Sequence, residues 1–480
     1  MGMVASLRGE GTPRTPRRTA SPALVASWFV AAVLLASPGF LARGDEAPLK
    51  AGVARRVVTP PVRVPYLTSS AQATNAPFGG VHDDLHARAL VLDGGRNSLA
   101  LLTVDSIGYD NALLGPGRDF TRELRERVAA KTGLEPGSIL LAASHTHSAP
   151  ETIGLTPFRD VAGVPDWIES HLNDLVATVV EAWERRVPVR ARFGSRRVDE
   201  VARYRRIVLK DGRLNRAGAL PTPEQTAEPW ALDEDLSVLY LETLDGHPHA
   251  VVLNYTAHPV IAMLLPPVSA DYPGAATALV ETQLPGAVCL FTQGAAGNIN
   301  SRQVSTNFDD VGATGRRLGA AAMATIDALK TSPPTAIDAL DVRSQVCELE
   351  GRPCPSVEEA ARLAEAQPND RNRRLARLAR KLSEEPLRAE VQVMRLGPLT
   401  WVGLPGEPFV ETGLALKKAG ASFVVGYANG YLGYLPIRRA YDEGGYEADP
   451  GPWSRVGPGS AERLQEIAER LLQEIRRPAG

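Results

Sequence analysis

Two histidines one residue apart close the aliphatic run ILLAASHTHSAP, residues 139–150, in a chain of 480 residues that has only eight histidines. An imidazole binds a divalent cation or moves a proton near neutral pH. In a β-strand, residues i and i+2 face the same side. A strand that persists through SHTHS therefore sets His145 beside His147. Both then bind one metal, or one binds while the other shuttles a proton. The competing reading, two surface histidines in a loop, is weighed against what recurs elsewhere in the chain. VVLNYTAHPV closes at His258, LFTQGAAGNINSR runs into Gly, Asn and Gln, and LTWVGLPGEPFVETG reaches Glu407 where a helix is expected to begin. Such strand ends form the rim where α/β proteins keep their sites. Two histidines and one carboxylate are a common catalytic zinc set that leaves room for water.

The other histidines fit blander roles. His171 sits at the fringe of an amphipathic stripe and reads as structural. His247 and His249 flank a hairpin turn and read as solvated. His82 and His86 enter a strand beside two acids, which favours local hydrogen bonding. Cys347 and Cys354, seven apart in CELEGRPC, are able to pair after export, and Cys289 in AVCLFTQ reads as a buried thiol. Three cysteines without a C-x-x-C make no structural zinc site.

Elements that can hold such a site follow from the pattern. RALVLDGG with SLALLTVD, LSVLYLETLDG with HPHAVVLNY, and AEVQVMRLG with PLTWVG read as hairpins. Helices are expected over 119–131, 167–185, 272–284, 312–330, 356–384 as a solvated hairpin, and 460–477. Strands interleaved with helices give an α/β class with helices packed on mixed β-sheets, since hairpins exclude a purely parallel sheet. No internal repeat or linker divides residues 50–480, so a single large catalytic domain is expected. Composition agrees with a globular protein: 44% hydrophobic and 22% charged residues. A net charge of −2 points away from nucleic acid. Residues 1–42 carry a basic stretch, the apolar ALVASWFVAAVLLA and a small-residue exit, the pattern of a signal peptide or an N-terminal anchor. An extracytoplasmic location follows as an expectation.

Eight blocks in order, GVARRVVTPPV, PFGGVHDDLHARALVLDGG, LLTVDS, SHTHSAP, NYTAHPV, FTQGAAGNIN, GLPGEPF and GYANGYLGYLPIRRAYDEGGYEAD, resemble the neutral/alkaline (non-lysosomal) ceramidases over residues 52–447. The resemblance implies one zinc per chain held by His145, His258, Glu407 and Tyr434. It implies a catalytic role for His147 beside the metal, and for Tyr446, which follows Tyr434 by twelve residues as in the family. Arg205, with Arg206 as a shifted register, is the nearest match to a substrate-facing arginine. The implied reaction is hydrolysis of the N-acyl amide of ceramide or a related lipid by a zinc-activated water, with peripheral membrane contact.

Two departures bear on these expectations. The family's serine-bearing block reads GNINSR here, with Asn300 at the serine position and Ser301 next to it. A serine nucleophile is therefore disfavoured, and the loop is left to shape the pocket or hold a structural Ca2+ or Mg2+. The family's C-terminal immunoglobulin-like domain is not expected in this chain, which leaves the acyl substrate more open than the reaction. A non-catalytic exported binding protein, or a metal-dependent phosphatase or esterase using Asp105, Asn298 and His258, are the alternatives.

Overall fold

Strands that are apolar on both faces need cover on both faces, and the layers of this molecule follow from that. The computed structural model describes residues 48–61, 64–65, 78–215, 221–227 and 229–477. The expected export segment, 1–42, lies outside them. The strands are β1 (Lys50–Val57), β2 (His86–Asp93), β3 (Ser98–Val104), β4 (Ile139–Ala143), β5 (Val187–Arg197), β6 (Ala202–Tyr204), β7 (Asp235–Thr243) and β8 (Pro248–Tyr255). They continue with β9 (Val288–Gln293), β10 (Ile299–Ser301), β11 (Leu340–Glu348), β12 (Arg388–Leu396), β13 (Leu399–Gly403), β14 (Glu407–Pro408), β15 (Phe423–Val425) and β16 (Tyr434–Leu435). The α-helices are α1 (Phe120–Thr132), α2 (Val164–Glu184), α3 (Asp271–Gln283), α4 (Phe308–Lys330), α5 (Val357–Ala366), α6 (Asp370–Glu384), α7 (Val410–Lys418), α8 (Arg439–Glu443) and α9 (Ser460–Arg476).

Eight strands form one mixed sheet in the order β4-β3-β2-β1-β5-β7-β8-β9, and four form a second in the order β11-β12-β13-β15. Period-2 alternation sorts each strand between two cores. In β2, Ala87, Ala89 and Val91 face a core shared with α1 and α2. Leu90 and Leu92 face the second sheet, together with Leu140, Leu239, Val252, Met394, Trp401 and Phe423. Farther along the large sheet, Val251, Leu253 and Tyr255 pack against α3 and α4. The outer face of the small sheet, through Val391, Val393 and Val402, is covered by α9. The result is a helix–sheet–sheet–helix stack. Trp401 and Phe423 stack at 4.6 Å in the inter-sheet core, and truncating such a ring to Ala costs about 3–5 kcal/mol.

The three expected hairpins form in antiparallel register. The helices also form, with shifted starts. Helix α2 begins at Val164 rather than 167, with Pro165 in its first turn, where a missing N–H costs nothing. Helix α4 begins at Phe308 rather than 312, because the Asn307 side chain caps Asp310 N in a polar first turn. The residues Glu46–Gly480 make one compact unit. Among the described residues no helix is long and apolar enough to cross a membrane.

Candidate metal centre

β4 stops at Ala143, and the chain turns. The amides of Ser144 and His145 donate to Val104 O and Ser106 O, and His145 takes φ +68°. The strand does not persist through SHTHS, so strand alternation is not what pairs the histidines. The left-handed turn does so instead: the two rings lie edge-on with centroids 4.9 Å apart, and their Nε2 atoms are 3.3 Å apart.

His258 follows the end of β8, where its N–H donates to Ile299 O and bridges it to the strand of Asn300. Glu407 is fixed by β14, which pairs in parallel with β16 and sets Glu407 directly opposite Tyr434. The Glu407 Oε2 atom lies 3.0 Å from His258 Nε2 and 3.5 Å from His145 Nε2. On the far side of each ring, His145 Nδ1 faces Ile107 O at 2.6 Å and His258 Nδ1 faces Ala296 O at 2.6 Å. A carbonyl only accepts, so each Nδ1 carries the proton, and a neutral ring then presents its Nε2 lone pair to the centre. With their Nε2 lone pairs and a carboxylate turned toward one point, these groups have the donor set of a cation site. His145, His147 and His258 each offer a ring nitrogen within 4.8 Å of the others, close enough to hold one metal ion.

Burial pushes His258 down to about 4, helped by the Arg205 charge. Burial also holds His147 well below its ordinary value, helped by its histidine neighbours. For Glu407 burial works in the opposite direction, but the imidazoles of His145 and His258 overcome it and hold the carboxyl well below the usual range.

Arg205 extends from the end of β6. Its Nε donates to Glu447 Oε1, its Nη1 to Asn300 Oδ1, and its Nη2 to Gly297 O and to the Tyr434 hydroxyl at 3.0 Å. A guanidinium has five N–H donors, so one remains. Arg206 points away, to Glu443, Glu447 and Gly444 O, so of the two arginines Arg205 is the one beside Tyr434. Tyr446 is 51% exposed, edge-on to Tyr434 at 5.7 Å and stacked on Trp453 at 4.8 Å. The GNINSR loop serves the protein's own bonds. Asn300 holds Arg205, Asn298 Oδ1 accepts Val410 N at the start of α7, and Ser301 Oγ donates to Gln303 O. Gly297 is confined by close approach, since a Cβ there would stand 2.4 Å from Glu407 O.

Two tyrosines escaped the sequence reading. The Tyr431 hydroxyl donates to Glu407 Oε1 at 2.5 Å and fixes the carboxylate. The Tyr427 ring stacks on His145 at 3.9 Å from a backbone with φ +55°. The crowding of tyrosines in GYANGYLGYL was the available signal, but loop periodicity assigns no faces. His171 is structural as expected, buried against the Tyr109 hydroxyl at 2.7 Å. His82 pairs with Asp83 and stacks on Phe308. His249 is not solvated as expected, because β8 carries it to a hydrogen bond with Ala51 O. The two-metal alternative does not assemble: Asp105 is bound to buried Arg88 at 2.8 Å, and Asn298 is committed to Val410 N and Glu411. Cys289, Cys347 and Cys354 are all free thiols.

No protein-family model matches the chain. A 66-residue segment is 39% identical to a neutral ceramidase of Mycobacterium tuberculosis, a match over 12% of this chain and 10% of that protein's length. The crystal structure of neutral ceramidase from Pseudomonas aeruginosa superposes with a TM-score of 0.71 at 20% identity, covering 91% of this chain and 76% of that one. A ceramidase complexed with C2 superposes with a TM-score of 0.68 at 19% identity, covering 90% and 76%. The resemblance carried by the eight sequence blocks therefore extends to the architecture: this chain has the neutral ceramidase fold.

Proposed function

We propose that the chain is an exported zinc-dependent amidohydrolase that cleaves the N-acyl amide of ceramide or a related lipid. The observation that carries this is the set of buried His145 and His258 with Nε2 turned inward onto Glu407 Oε2. Similarity in fold to neutral ceramidases, one of them solved with C2, supports an N-acyl lipid as substrate. A lipid substrate implies contact with a membrane surface. The basic and apolar N-terminal stretch of the sequence supports export.

His145, His258, Glu407 and Tyr434 would hold the ion. A bound divalent cation supplies Lewis acidity, lowering the pKa of water and polarising an amide oxygen. The chain's own groups do the rest. His147, kept neutral by burial, accepts a proton through Nε2 as water adds to the acyl carbon. It returns that proton to the nitrogen as the C–N bond breaks, giving acid and amine. The remaining Arg205 N–H and the Tyr446 hydroxyl supply donors for the oxygen that gains charge. Arg205 also donates to the Tyr434 hydroxyl, which fixes the position of the phenol oxygen that would serve as a ligand.

The test uses the purified full chain. Metal per chain is measured, and fluorescent N-acyl lipids are assayed with and without chelator. About one zinc per chain is expected, with activity lost on chelation and restored by zinc. Full activity in His145→Ala would sink the assignment.

A further inference from the structure

We infer that Glu447 is a positioning residue, a clip that holds the Tyr446 loop and Arg205 in one geometry; this rests on the amidohydrolase reading above. Its carboxylate is buried and bridges two consecutive arginines. Oε1 accepts from Arg205 Nε at 2.8 Å, and Oε2 accepts from Arg206 Nη1 at 2.7 Å. Arg205 faces the centre, where its other donors reach Tyr434, Asn300 and Gly297. Arg206 faces away and fastens the approach to the loop, through Glu443 Oε2 and Gly444 O. Glu447 directly follows Tyr446, whose ring stacks on Trp453 and whose carbonyl accepts from Trp453 Nε1 at 2.9 Å. One carboxylate thus fixes both the guanidinium beside Tyr434 and the backbone that carries Tyr446. A bidentate carboxylate between two guanidinium groups is geometrically exacting. Removing it frees both arginines to rotate and leaves buried charge unpaired.

Glu447 touches neither the proposed ligands nor the reacting atoms, so its effect must pass through Arg205 and Tyr446. Glu447→Ala is expected to lower kcat about 10–100-fold with KM changed far less, the size of effect seen when a supporting partner is lost. Glu447→Gln, which keeps the shape and one acceptor, should fall between. Zinc content should stay at the wild-type level. In an Arg205→Ala background the same Glu447→Ala change should cost several-fold less than in wild type, because coupled residues are not additive, the remaining loss being the part carried by Tyr446. Trp453 emission, isolated by subtracting the Trp453→Phe spectrum, should shift in Glu447→Ala. Additive losses in the double variant, or an unshifted Trp453 signal, overturn the proposal and leave Glu447 a stability residue only. A loss of kcat explained by unfolding, seen as a collapsed melting midpoint in Glu447→Gln as well, overturns it too. A metal-loaded wild type inert toward every N-acyl amide overturns the amidohydrolase reading instead, and the fluorescence measurement still decides whether the clip exists.

Discussion

His145 and His147 stand two residues apart yet have different surroundings. The His145 Nδ1 is bound to a backbone carbonyl and its ring is stacked on Tyr427, while His147 is partly open and meets the centre only through Nε2. A ring fixed from behind by a backbone carbonyl suits a ligand, and a neutral imidazole beside the centre suits proton transfer. His145→Ala and Glu407→Gln are therefore expected to weaken zinc binding by more than about 100-fold, beyond the usual effect of outer-shell partners. His147→Ala should bind zinc within a few-fold of wild type and lose turnover. Equilibrium dialysis against zinc separates the two cases. Equal loss of affinity in all three variants would make His147 a third imidazole ligand. Tyr431 gives a second, independent measurement. Its hydroxyl orients the carboxylate, so Tyr431→Phe should cost about 10–100-fold in zinc affinity while leaving the buried ring in place. Unchanged affinity would show that the β14–β16 pairing alone fixes Glu407.

At the scale of elements, the sequence announced what repeats with a period. The hairpins and the stripes of α1, α2 and α9 were legible because apolar residues recur at two or at 3.6. The starts of α2 and α4 were not, because a cap and a polar first turn carry no apolar signal. β6, β10, β14 and β16 span two or three residues each, too few for any period, and they are the strands that position Arg205, Asn300, Glu407 and Tyr434. Helix α2 offers a test of its own. Its His171 is buried without a charge partner, and burial pushes it down to about 4 from an ordinary value of 6.5. Between those two values the unfolded chain binds a proton that the folded chain refuses. Stability is therefore full above pH 6.5 and lost as pH falls toward 4, by up to about 3 kcal/mol. Urea unfolding at pH 7, 5.5 and 4.5 should show a shallower decline in His171→Phe than in wild type. An identical decline in both would remove His171 as the responsible group.

The whole molecule brings together what no local pattern could. His145 follows a strand at one edge of the large sheet, and His258 follows β8 near the other. Glu407 leaves the small sheet after β13 and is set by a two-residue pairing with Tyr434. Their residue types and strand-end positions were visible in the sequence. Their convergence depends on how two sheets stack, a long-range fact that the strand-end residue types only suggested and that the family resemblance made specific. A cation at this point would tie loops of both sheets together, and binding to the folded state alone stabilises by mass action. Free zinc at about 100 times its Kd should add about 2.7 kcal/mol, read as a rise in melting temperature over the chelated protein. His145→Ala should melt at one temperature with or without zinc, since the inward-facing set is then incomplete. Glu447→Ala should keep the full zinc-dependent rise, because its carboxylate serves Arg205 and Arg206 rather than the ion. If His145→Ala shows the wild-type rise, zinc is stabilising the chain from some other place, and the centre built by His145, His258 and Glu407 is not where it binds.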